Sequence, residues 1–216
     1  MGILLMALKM VGILLLAAVL LLAVGLWLLA RRPFVPKRYT ERVKAGGPLE
    51  ARYLAMGSHR VAAVTAEAPG DWKRFSACYP ADLPEGREHY PAVVLVNGTG
   101  VCASKYPALF RHLASWGFVV LGNEDPSTCT GDSADATLAW LLAENDNPAS
   151  IFYGRIDTGR IGISGHSQGG VGVFNAIGRQ PHRAYYRCAV SLSPTERTLA
   201  VALGMDYDPA QARFPR

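Results

Sequence analysis

The pentapeptide Gly165-His166-Ser167-Gln168-Gly169 is a G-x-S-x-G pattern. As a bare pattern it is a weak signal. Here it follows the apolar run RIGIS (160–164) and opens an amphipathic stretch from Gln168 to about Gly178. In that strand–turn–helix setting the pattern exposes a nucleophilic serine hydroxyl at a sharp, strained turn. Side chains two residues to either side would collide there, which accounts for Gly165 and Gly169. Gly170 lets the helix pack close to the sheet. The hydroxyl also lies at a helix N-terminus, whose free N–H groups stabilise developing negative charge. Asn97-Gly98-Thr99-Gly100 ends an earlier apolar run, PAVVLVNGTG (91–100). A loop at that place supplies one N–H of an oxyanion hole, and the residue after the nucleophile supplies the other. The expected donors are the backbones of Thr99 and Gln168, supported by Gly98, Gly165, His166 and Gly169. His166 occupies the variable position of the motif and is expected to line the site rather than act as its base. Without chemistry, both motifs read as ordinary glycine turns with an incidental serine.

These residues need elements to hold them. RVAAVTAEA (60–68) and RFSACYP (74–80) read as antiparallel strands with turn signals between them at Pro69, Gly70 and Asp71. The 91–100 run reads as a buried strand. Ser104 is the expected N-cap of a helix on which Tyr106, Leu109, Phe110 and Leu113 share a face, with Pro107 in its first turn. FVVLG (118–122) and RCAVSLS (187–193) read as further strands, and helices are expected over about 133–144 and 194–203. Strands alternating with helices predict an α/β fold with a mainly parallel sheet, right-handed crossovers and flanking helices. The site then falls at the carboxyl ends of the strands.

The block VNGTG…YPALFRHLASWGFVVLGNED…RIDTGRIGISGHSQGG resembles the α/β-hydrolase superfamily. It is most similar to the branch holding dienelactone-hydrolase-like esterases, cutinase-like polyester hydrolases and platelet-activating-factor acetylhydrolases. The similarity covers roughly residues 73 to 205, and Arg155 through Gly170 is its most specific part. The resemblance implies an ester or related acyl bond in a small-molecule, lipid or polyester substrate. It implies a Ser-His-Asp triad, with no metal and no organic cofactor.

The triad order expected of this fold is serine, acid, histidine. After Ser167 the histidine is His182, in a loop between helix and strand, and the carboxylates are Glu196, Asp206 and Asp208. None falls at a family position, and His182 reads as a surface loop residue. The expectation is a chain truncated before its triad acid and histidine, with its C-terminal strands missing. Such a chain would keep only weak catalysis from the oxyanion hole and binding. It would also expose an apolar sheet edge, and residues 40–216 would fold poorly alone. Three functions compete: a membrane-anchored serine hydrolase of carboxylic esters, a non-catalytic hydrolase-like binding or interaction protein at the membrane, and an acyltransferase or thioesterase using the same serine.

The organisation expected is an anchor over 1–31, a basic linker over 32–48 and a partial α/β-hydrolase domain over 49–216. Residues 11–30 carry no charge and no proline, enough helix for about 30 Å of hydrocarbon. Trp27 sits near the end of the run, at interface depth, and Arg31 and Arg32 stop it. A cleaved signal peptide is the rival, opposed by the length of the run and by its LLARR exit. Of 22 basic residues, Lys9, Arg31, Arg32, Lys37, Arg38, Arg42 and Lys44 precede residue 49, against Glu41 alone. The remainder is nearly neutral, which excludes the basic face a nucleic-acid partner needs. The basic flank favours a cytoplasmic domain, and the resemblance allows an extracytoplasmic one. Cys102 and Cys129 fall in loops where a disulfide is open to them in an oxidising compartment. Cys78 and Cys188 read as buried thiols. There is no metal-ligand spacing. Trp116, Trp140, Phe152 and Tyr153 are read as packing residues rather than pocket walls.

Overall fold

Val94 and Val96 enter one hydrophobic core and Val93 and Leu95 another, so a single strand feeds both faces of a sheet. The computed structural model that shows this describes residues 2–33, 38–212 and 214. It divides into two units, 1–33 and 34–216. In chain order the elements are α1 (Gly2–Arg31), α2 (Pro48–Leu54), β1 (Val61–Glu67), β2 (Arg74–Pro80), β3 (Tyr90–Val96), α3 (Pro107–Ser115), β4 (Val119–Asn123), α4 (Asp132–Asp146), β5 (Ile156–His166), α5 (Gln168–Arg179), β6 (Tyr186–Leu192) and α6 (Arg197–Ala202).

The first unit is α1. Its stretch Met6–Arg31 is long and apolar enough to cross a membrane, a test that a signal sequence also passes. The Arg31 guanidinium lies 3.6 Å from the centre of the Trp27 ring.

In the second unit the sheet order is β1-β2-β4-β3-β5-β6. β1 pairs with β2, and β2 with β4, antiparallel; β4, β3, β5 and β6 are mutually parallel. α3 packs Phe110, Ala114 and Leu113 on the face of Leu95 and Val120. α4 (Leu138, Leu141) and α5 (Val173, Ile177) cover the other face, over Val94, Val119, Leu121 and Ile163. Chain order reverses between β3 and β5, because the chain leaves β3 toward β4 on one side and returns to β5 on the other. The carboxyl ends of those two strands therefore flank a crevice, the usual ligand position in an open parallel sheet. This is an α/β-hydrolase-type sheet with flanking helices.

Several local expectations are corrected. The linker is ordered in part: a 3-10 turn forms at Thr40–Arg42, and α2 begins at Pro48. A first-turn proline sacrifices no helical hydrogen bond. Residues 34–37, including Pro36 and Lys37, and residues 213, 215 and 216 lie outside the described residues. Ser104 does not cap α3. Its N–H and hydroxyl both donate to the buried Glu124 carboxylate, at 2.9 and 2.8 Å, and the helix starts two residues after the 3-10 turn Ala103–Lys105. None of the four cysteines is in a disulfide, and Cys78 is half-buried. Cys102 Sγ lies 3.2 Å from Glu124 O, and Cys129 packs against the cluster of Val171 and Tyr207. Cys188 is exposed, because β6 is the outermost strand and α3, the helix on that face of the sheet, packs over β2 and β4 instead. Trp140 stacks on Phe75 and meets Phe152 edge-on, and Trp116 donates to Ala55 O at 3.0 Å; Tyr153 is exposed.

Candidate functional site

Ser167 joins β5 to α5 with φ 56° and ψ −120°, a conformation that L-residues avoid. Such backbone strain costs about 1–3 kcal/mol and survives only where the surroundings impose it. The flanking glycines show how. A Cβ on Gly165 would strike the carbonyl of Gly169, and one on Gly169 would strike the carbonyls of Val96 and Asn97. The collisions are with backbone carbonyls, so the two glycines allow β5, the first turn of α5 and the end of β3 to touch through backbone. Gly170 does approach the sheet, with space for its Cβ closed by Ser191 Oγ at 2.7 Å and Pro194 Cα at 2.9 Å. Two bonds tie the turn to the end of β6: Ser167 N–H donates to Leu192 O (3.0 Å) and Thr195 N–H to Ser167 O (3.4 Å).

Gly98–Val101 forms the facing loop. Val101 N–H donates to Gly98 O at 3.0 Å across a four-residue turn, and Gly100 takes φ +64°. A glycine of positive φ at the third position is the signature of a type II turn. Gly100 N–H donates to Pro126 O at 3.0 Å, and Gly98 N–H donates to the Tyr106 hydroxyl at 3.2 Å. The amides of Gly98, Gly100 and Val101 are thus all engaged. Among the described residues no acceptor takes the N–H of Thr99, nor that of Gln168 at the start of α5. Thr99 is exposed and Ser167 half-buried, at the mouth of the crevice.

Residues invisible as site residues in the sequence hold these two loops. The Gln168 side chain is buried and accepts from Thr128 N–H (3.1 Å), while Thr128 Oγ1 donates to Asn97 O (2.6 Å). Asn97 Nδ2 donates to Asn123 O (2.6 Å), and Asn97 Oδ1 is buried without a partner among the described residues. Tyr106 Oη also lies 3.3 Å from His166 Nδ1, so His166 lines the site beside the serine. Burial pushes the Tyr106 phenol above its ordinary value, with Gly98 N–H opposing, so it keeps its proton at neutral pH.

Three histidines lie away from Ser167. His59, His89 and His182 precede β1, β3 and β6, which puts them at the far end of the sheet. α5 alone, at about 1.5 Å per residue, separates His182 from Ser167 by about 18 Å. His182 instead receives Asp135, whose carboxylate lies 2.9 Å from both its N–H and its Nδ1. Glu196 caps α6 by accepting from Leu199 N–H, Asp206 pairs with Arg179, and Asp208 accepts from Ala210 N–H. No cluster of three metal-ligating side chains occurs among the described residues.

A family model described as PET hydrolase-like matches residues 47–202. A bis(hydroxyethyl) terephthalate hydrolase of Streptomyces coelicolor is 36% identical over 118 residues. That stretch is 54% of this chain and 36% of the relative, so the match spans about a third of the relative's length.

Proposed function

The chain belongs to the PET hydrolase-like family, and from that premise we propose that it is a serine hydrolase of carboxylic esters, with Ser167 as nucleophile. The observation that carries the reading is the strained Ser167 backbone at a strand-to-helix turn, with the unclaimed N–H of Gln168 next to it and that of Thr99 on the facing loop. In the reaction a base takes the Ser167 proton and Oγ attacks the ester carbonyl carbon. The carbonyl oxygen becomes an oxyanion held by the N–H groups of Thr99 and Gln168. The alcohol leaves with the proton, and water then releases the acid from the acyl-serine by the reverse sequence. Each oxyanion donor supplies about 2.7–4 kcal/mol of transition-state stabilisation. The substrate class is an ester of the kind in the relative's name, an aromatic carboxylic acid joined to a small alcohol. α1 tethers the enzyme to a membrane.

The position of His59, His89 and His182 at the far end of the sheet favours a second reading, a non-catalytic binding protein. A fluorophosphonate probe separates the two. On the full-length protein it should label Ser167, and Ser167→Ala should abolish labelling. Full-length protein that stays unlabelled while folded would sink the hydrolase reading.

A further inference from the structure

Gly98 and His166 each precede one of the two groups proposed to do the chemistry, Thr99 and Ser167. A third residue touches both. The Tyr106 hydroxyl accepts the Gly98 N–H at 3.2 Å and lies 3.3 Å from His166 Nδ1. Its ring meets the imidazole edge-on, with centroids 6.3 Å apart. The fit is close enough that a Cβ on Gly98 would lie 3.2 Å from both Tyr106 Oη and His166 Nδ1. The phenol oxygen accepts from Gly98 and still has its own proton and a second lone pair, so it can bond His166 Nδ1 in either tautomer of the imidazole. Tyr106 is itself held from outside the loop. The turn Ala103–Lys105 before it is fixed by two hydrogen bonds from Ser104 to Glu124, a carboxylate that Arg74 approaches to 3.7 Å.

We infer that Tyr106 is a positioning residue: its hydroxyl clasps the loop after β3 to the serine turn after β5 and thereby sets the distance between the Thr99 N–H and Ser167 Oγ. This rests on the hydrolase reading. The loop after β3 leaves its strand at Val96 and has no ladder partner beyond the short Gly98–Val101 bridge. Thr128 ties the base of that loop, at Asn97 O, to the Gln168 side chain, and the Tyr106 hydroxyl meets Gly98 itself, the residue before Thr99. An oxyanion donor acts only if preorganised where the charge will develop, so a loosened Thr99 costs turnover and leaves ground-state binding nearly intact.

The test compares wild type, Tyr106→Phe and Tyr106→Leu in the full-length protein, with p-nitrophenyl butyrate as substrate and fluorophosphonate titration to count active sites. Amide hydrogen exchange at Gly98 and Thr99 is read alongside. Loss of one oxyanion donor costs about 10²–10³ in kcat, and a loosened donor should cost about tenfold. Tyr106→Phe should therefore lower kcat about tenfold with KM within about twofold, and should speed Gly98 exchange while β3 exchange is unchanged. Tyr106→Leu should do little more, since the hydroxyl and not the ring is the clasp. A Phe variant with wild-type kcat overturns the inference, whatever its exchange. So does a kcat loss without faster exchange at Gly98, or a Leu variant that is impaired where Phe is not. Wild type that neither turns over ester nor takes the probe is a separate failure: it removes the hydrolase reading, and the clasp as a catalytic device with it.

Discussion

At Thr99 the proposed chemistry belongs to a backbone N–H, so the side chain should be dispensable and the amide should not. The turn geometry permits a direct test. Thr99 is the second residue of a turn whose third, Gly100, has φ +64°, and proline is favoured at that second position. Thr99→Pro should fold normally, lose the N–H and lower kcat by about 10²–10³, while Thr99→Ala stays within a few-fold of wild type. Ester turnover with matched thermal midpoints checks this; equal activity in the two variants would remove Thr99 from the oxyanion hole. Tyr186 carries a different residue-scale consequence. Its hydroxyl is buried without a partner among the described residues, and burial, with the Asp135 charge adding, pushes the phenol above its ordinary 10.0. The folded state thus binds that proton more tightly than the unfolded chain. Its contribution is complete below the unfolded value and is lost as pH rises beyond it. Tyr186→Phe removes an unsatisfied group, so it should be neutral or stabilising by about 1 kcal/mol at neutral pH. It should also make the alkaline limb shallower. Urea unfolding at neutral and alkaline pH measures both; a destabilised variant with an unchanged limb would mean that the hydroxyl has a partner.

The elements meet through side chains whose partners are far away in the chain. Asn123, at the end of β4, donates to Ser133 O (2.9 Å) and Thr137 Oγ1 (2.8 Å) at the start of α4, and accepts from Asp125 N–H (2.9 Å). Its carbonyl receives Asn97 from the end of β3. Asn123→Ala would strand several buried polar groups and should cost about 2–3 kcal/mol in urea unfolding. A cost below about 0.5 kcal/mol, the range of ordinary surface changes, would show that the network does not hold these loops. This network also marks the limit of what the sequence discloses. β3, β5 and α5 are legible because their signals are local: an apolar β-branched run, a glycine pattern and an amphipathic period. The serine turn and the Thr99 loop follow from them. Asn97, Thr128 and the Gln168 side chain are not legible, since the groups they bond lie 26 to 40 residues distant. Ser104 misleads for the same reason: its cap-like spacing is local, but Glu124, twenty residues on, takes both its donors. α2 is hidden because Gly46, Gly47 and Pro48 look like a linker, while Pro48 in fact starts a helix.

For the whole molecule the two open questions are what α1 does and what meets the outer face of β6. If α1 is an uncleaved anchor, the protein should stay with membranes through alkaline carbonate extraction and keep its N-terminal residues. Release as a shortened soluble chain would make α1 a signal sequence. β6 ends the sheet with an unpaired ladder, and Val190 and Leu192 on it are 52% and 44% exposed. Cys188 is exposed on the same strand, and α6 with its C-cap adds the exposed Leu199, Val201 and Leu203. An apolar, unprotected edge strand is a template for strand addition, and natural proteins guard such edges with charge, proline or cover. Here the strand offers Arg187 at one end and no charge after it. The 216-residue polypeptide taken by itself should therefore self-associate at micromolar concentration, in the manner of other exposed edges. Val190→Lys puts a charge at the centre of the exposed row and should shift the association to higher concentration without altering the Ser167 turn. Sedimentation velocity across a concentration series reads the outcome. A monomer at every concentration, with Val190→Lys no different, would mean that the β6 edge is protected in solution and does not template strand addition.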